Sequence, residues 1–173
     1  FTIVVRTSRP VKKGEGMTIC YTQLLWGTVE RRKHLYSSKL FWCKCPRCSD
    51  PSELGSNMSA IRCTHCSGNI LPRAPLDLST LWSCQTCGFS LTFKQVTDGF
   101  SKLDKIIKDL DKEDIDEMEH FVACYSLVLH PHHYQLVKPK YALVQLMGQF
   151  DPGTLEEDEL TRLADLCTEL LQL

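Results

Sequence analysis

Phe41-Trp42-Cys43-Lys44-Cys45-Pro46-Arg47-Cys48 places three thiols within six residues. A disulfide between Cys43 and Cys45 would be badly strained, because side chains two apart point to opposite faces or around a tight loop. Thiolates converging on one metal ion suit this spacing, and Cys43, Cys45 and Cys48 read as three zinc ligands. No fourth ligand lies close by in sequence. The cluster is therefore expected to reach back to an earlier part of the fold, with Cys20 either completing the set or facing the core.

Downstream, Asp50 to Ala60 reads as a polar linker. It leads to Cys63-x2-Cys66, seventeen residues, and Cys84-x2-Cys87, a self-contained four-thiol zinc spacing. Gly68 and Gly88 follow the knuckles, where tight turns aim backbone N–H groups at sulfur. Ile61, Ile70, Leu71, Leu81 and Trp82 are expected to pack around the metal. A segment this small would not hold without it. Four thiolates leave zinc no open position, so the role is structural.

Upstream, Phe1, Ile3 and Val5 alternate as in a strand, Pro10 to Gly16 forms a turn, and Met17 to Tyr21 reads as a second strand. The chain starts in mid-strand and looks truncated. Thr28 is expected to cap a helix through Leu35, with Arg31-Arg32-Lys33 on its solvated face. From Thr97 the period becomes helical: Phe100, Leu103, Ile107 and Leu110, then Ile115, Met118, Val122, Tyr125 and Leu129. A third helix carries Tyr141, Val144 and Met147, preceded or kinked at Pro139. A fourth runs from about Leu155 to Leu171 after Asp151-Pro152-Gly153. Short connections predict a helical-hairpin array of tetratricopeptide-like lengths. Cys124 and Cys167 read as buried apolar residues, and His130, His132 and His133 as loop or cap histidines rather than ligands.

The fold class is thus α+β. Residues 1–22 end a β-rich domain, 23–50 carry a helix and the first cysteine cluster, 51–92 form the linker and ribbon, and 93–173 form the helical domain. No apolar run approaches the ~20 residues a membrane span needs. Ten cysteines, seven of them in closely spaced clusters, point to metal knuckles in a reducing compartment rather than to a secreted disulfide scaffold. The net charge of −1 hides an asymmetry. Residues 1–50 hold ten Lys/Arg against three acidic residues, and residues 93–173 hold eight against sixteen. The ribbon balances Arg62 and Arg73 against Glu53 and Asp77, which argues against direct nucleic-acid binding.

Gly14-Glu15-Gly16-Met17-Thr18-Ile19-Cys20-Tyr21, then Arg31-Arg32-Lys33-His34-Leu35, then Cys43-x-Cys45-x2-Cys48 resembles the end of a SET domain followed by a post-SET zinc motif, as in SET and MYND domain-containing lysine methyltransferases. Ser49 to Gly55, the inserted CxxC pair, Leu129-His130-Pro131-His132-His133-Tyr134 and Leu146-Met147-Gly148 are similar to the arthropod members. The resemblance implies S-adenosylmethionine as methyl donor and a histone or other lysine-containing protein as substrate. It further implies protein partners through the helices, and a nuclear and cytoplasmic location. It gives Tyr21 the lysine channel and Phe41 a cofactor contact. In the family the glycine-rich cofactor loop, the Asn-His segment, the MYND fingers and the fourth ligand of the first zinc all lie upstream. This segment alone is expected to be inactive. The alternative is a SET-derived scaffold without activity that binds partner proteins.

Overall fold

The computed structural model describes residues 2–7, 9–151, 153 and 155–173. Phe1 and Pro152, to which the sequence assigned a strand and a turn, lie outside these. Among the described residues, six helices and one sheet make an α+β chain. The helices are α1 (Thr28–Lys39), α2 (Pro46–Ser49), α3 (Phe93–Asp109), α4 (Ile115–Tyr125), α5 (Tyr134–Met147) and α6 (Glu157–Leu171). The strands are β1 (Ile61–Arg62), β2 (Asn69–Pro72), β3 (Trp82–Cys84) and β4 (Ser90–Leu91), antiparallel in sequence order. No described helix is long and apolar enough to cross a membrane.

The two N-terminal strands are not formed among the described residues. Ile3, Val5, Met17 and Ile19 are all exposed. A strand exists only when a neighbour takes its backbone N–H and C=O groups, and the segment meets no such ladder.

Thr28 does not cap α1. Gly27 holds that position, and the Thr28 N–H donates to the carboxylate of Glu53, which arrives from the Asp50–Ala60 segment. That segment is a built loop rather than a loose linker. Asp50 accepts from the Ser52 and Leu54 N–H groups, and Glu53 is 3% exposed. Its hydrogen bonds support left-handed backbone at Glu53, Leu54 and Asn57, which costs roughly 1 kcal/mol per non-glycine residue.

The ribbon and the helices share one core. Ile70, Trp82, Val96, Phe100 and Tyr134 cluster with Cys63 and Cys84, and the Phe100 ring meets Trp82 and Tyr134 edge-on at 6.0 and 5.9 Å. Backbone bonds close the joint: Arg62 N–H to Val128 O (2.9 Å), His130 N–H to Ala60 O (3.0 Å) and Tyr134 N–H to Met58 O (2.9 Å). Leu81, expected inside, is exposed, because the pleat that turns Trp82 inward turns its neighbour out.

α3 starts at Phe93, earlier than the periodicity suggested, because Thr92 and Gln95 form a capping box. α5 starts at Tyr134 and contains Pro139. Its buried face is Leu136, Val137, Lys140, Leu143 and Met147, while Tyr141 is exposed. α5 packs against α3, α4 and α6. α6 buries no residue fully and is tied down by Lys140 to Glu169 (2.5 Å) and Arg162 to Glu119 (2.7 Å).

Candidate functional site

The four-cysteine set is assembled by the sheet. β1 and β2 bring Cys63 and Cys66 around their turn, while the end of β3 supplies Cys84 and the turn after it supplies Cys87. The four sulfurs lie within 4.8 Å of one another, with Cys63–Cys87 at 3.6 Å and Cys66–Cys84 at 3.4 Å. A tetrahedron with Zn–S bonds of ~2.3 Å has edges of about 3.8 Å, so the donor set fits zinc. Backbone N–H groups of His65, Gly68 and Thr86 each reach a sulfur at 3.4 Å, the pattern that stabilises thiolates. The amides of Cys87 and Thr86 hold the Cys84 thiol down at about 6 against the opposing pull of burial. Glycine is required twice here. A Cβ on Gly68 would lie 2.4 Å from Thr86 Oγ1 and 2.9 Å from Cys84 Sγ, and Gly88 has φ +77°.

The three-cysteine set is built by one helical turn. Cys45 caps α2, Pro46 fills the first position where no N–H is needed, and Cys48 falls on the same side three residues on. Cys43, Cys45 and Cys48 sulfurs lie within 4.8 Å of one another, and Cys48 is fully buried. Burial and the neighbouring thiols push the Cys48 thiol up to about 12, against the lowering pull of Arg31. A divalent cation reverses that logic, because it stabilises every thiolate it binds. Three donors fit zinc with a position left for one more.

Cys20 is not in this cluster and does not face the core. It is exposed, and its sulfur meets Thr22 O at 3.3 Å and Arg31 Nη1 at 3.5 Å. Those contacts outweigh its desolvation and hold the thiol at about 7.

The arginines around this cluster are structural, contrary to the solvated face expected of Arg31 and Arg32. Both are buried, and only Lys33 of the run is exposed. Arg32 donates to Cys43 O and to Pro75 O, both at 3.1 Å, and its guanidinium lies 5.1 Å from the Trp42 ring centroid. Arg47 donates to Leu24 O at 2.7 Å and Trp26 O at 2.8 Å. Helix periodicity assigns such side chains to solvent. Only the returning chain supplies carbonyls for them.

That return is set at Leu40, whose left-handed φ of 60° ends α1 with its N–H on Tyr36 O. The chain doubles back, and Trp42 stacks on Tyr36 at 4.4 Å and 14°. Phe41 is left 42% exposed beside the cluster, and Tyr21 is 54% exposed on the segment before α1.

The histidines form no metal group among the described residues. His133 is fully buried and caps α5 by accepting from Gln135 N–H at 3.2 Å, and burial pushes its pKa down to about 3. Cys124 is exposed, with its sulfur 3.5 Å from His120 Nε2, and Cys167 is half-buried, so neither is the buried apolar residue that periodicity suggests. All ten cysteines are free thiols.

No family model matches the chain. It is 30% identical over 92% of its length to the SET domain-containing protein SmydA-8, isoform B, of Drosophila melanogaster, covering 36% of that protein. Isoform A is likewise 30% identical, over 91% of the chain and 35% of its own length. A 46-residue stretch, 27% of the chain, is 41% identical to 11% of the histone-lysine N-methyltransferase SMYD3 of Mus musculus. The chain spans about a third of the length of the curated relatives it matches most fully.

Proposed function

The chain belongs to the SMYD-type SET domain-containing proteins, and on that premise we propose that it forms part of an S-adenosylmethionine-dependent protein-lysine N-methyltransferase of the nucleus and cytoplasm. The observation that carries the reading is the return of the chain at Leu40, which leaves Phe41 half-exposed beside the three-cysteine cluster. An aromatic ring held in that way fits a cofactor wall, since its backbone is fixed on one side by a metal knuckle and on the other by Trp42 on Tyr36. S-adenosylmethionine, when bound, supplies an electrophilic methyl group. Zinc at Cys43, Cys45 and Cys48 would be structural, and so would zinc at Cys63, Cys66, Cys84 and Cys87.

Tyr21 acts on the other reactant. Its hydroxyl orients the substrate amine by hydrogen bonding, and its ring excludes water from the neutral nucleophile. Protein substrates or partners would meet the helical part along an apolar groove of about 400 Å³ whose walls include Ile61, Leu91, Val96, Phe100, Leu103 and Leu129.

Two substitutions in the complete protein test the reading. Tyr21→Phe should slow methyl transfer to a lysine peptide by roughly a hundredfold with S-adenosylmethionine affinity nearly unchanged. Phe41→Ala should weaken cofactor binding about tenfold through lost ring contact. Calorimetric titration beside a radiolabel transfer assay reads both. A Tyr21→Phe protein working at the wild-type rate would remove Tyr21 from the reaction, whereas an unsubstituted protein that transfers no methyl group would favour the inactive scaffold.

A further inference from the structure

Where α1 begins, the Glu53 loop and β3 enclose a small cavity. Thr28, Glu53 and Trp82 line it, with Val29, Pro72 and Phe93 among its apolar walls. It offers about 10 Å³ to the centre of a water-sized sphere. Glu53 Oε1 is already used, accepting from the Thr28 N–H and from the Ser59 hydroxyl at 3.0 Å. Three other buried atoms on the same three lining residues find no partner in the protein: Glu53 Oε2, Thr28 Oγ1 and Trp82 Nε1.

Native interiors rarely leave such atoms unsatisfied, since each costs about 1–3 kcal/mol. The chemistry of the three restricts what can join them. The indole N–H only donates, the carboxylate oxygen only accepts, and the hydroxyl does either. An anion meets the carboxylate, and a cation meets the indole N–H, so both are disfavoured; the Asp50 and Asp77 carboxylates that also line the cavity already accept from the Ser52, Leu54 and Ser79 N–H groups. Water accepts from the indole while donating to the carboxylate and the hydroxyl, and one water is what the volume admits.

We propose that this cavity is a buried water site, and that one water bridges Trp82 Nε1, Glu53 Oε2 and Thr28 Oγ1. The water joins β3 of the four-cysteine ribbon to the first turn of α1, the helix whose Arg32 holds the three-cysteine segment. It thereby adds a second tie between the four-cysteine ribbon and the α1 segment, beside the Arg32–Pro75 hydrogen bond.

The test uses the zinc-loaded chain with labelled nitrogen. Water-selective cross-relaxation should reach the Trp82 indole N–H with nuclear and rotating-frame effects of opposite sign, as for a long-held water. Thr28→Val keeps the shape but removes one bond, and should shorten the residence time about tenfold. A crystal structure of the unsubstituted protein should show a single water within hydrogen-bond distance of all three atoms. No cross-peak to the Trp82 indole, residence unchanged in Thr28→Val, or a site filled by sodium or potassium would each overturn the proposal.

Discussion

Replacing Arg32 by alanine removes the side chain that joins three segments. The residue is 4% exposed, so solvent does not replace what is lost. Cys43 O and Pro75 O each lose a charged donor at 3.1 Å, worth ~1.5–3 kcal/mol apiece. The contact with Trp42 adds about 1 kcal/mol. Releasing a buried guanidinium to a neutral side chain offsets part of this sum, because the charge no longer has to be desolvated. The expected net loss is about 3 kcal/mol, or roughly 6–12 °C in Tm for a chain of this size. Arg32→Lys should lose about half as much, since an ammonium keeps the charge without the fork that reaches both carbonyls. Urea unfolding of the zinc-loaded protein measures the loss, and chelator-driven release reports the three-cysteine segment, which should give up its metal faster in Arg32→Ala. A loss below about 1 kcal/mol with unchanged release kinetics would refute the claim that Arg32 holds this segment.

Under a mild chelator, zinc should leave Cys43/Cys45/Cys48 well before it leaves Cys63/Cys66/Cys84/Cys87, because the first set has three donors and the second has four. Gly68→Ala should bring the two closer by crowding Cys84 Sγ, whereas two equally retained ions in the unsubstituted chain would mean that Cys20 or a histidine closes the first site. Acid should destabilise the fold through His133. Its pKa is lowered from 6.5 to about 3 by burial, so below 6.5 the unfolded chain takes up a proton that the folded chain refuses. Stability is complete above that pH and falls toward pH 3, by at most ~1.4 kcal/mol per pH unit from this group. His133→Asn retains a capping acceptor without the titration and should flatten the acid limb of a pH series of unfolding curves. Identical slopes would remove His133 from the explanation.

What the sequence determined by itself is the chemistry that depends on short spacing. Cys45 and Cys48 share a helical turn, Cys43 lies just before it, and the two CxxC knuckles close on each other, so which sulfurs converge follows from local geometry. Phe100 and Leu103 were legible for a similar reason, since one helical face repeats every three or four residues. Tertiary structure decided everything that depends on which distant backbone comes near. Arg31 and Arg32 read as solvated because a helix face carries no record of the carbonyls that will reach it, and Glu53 read as a linker residue although it caps α1 from 25 positions away. Met17 to Tyr21 alternates like a strand yet forms none, because alternation describes side chains while a strand is defined by the neighbour its backbone bonds. His133 differs in kind: its place before α5 marked it as a cap, but its neutral charge state follows from complete burial. Sequence carries the donors. The fold determines which of them are removed from water, and desolvation sets what each can do.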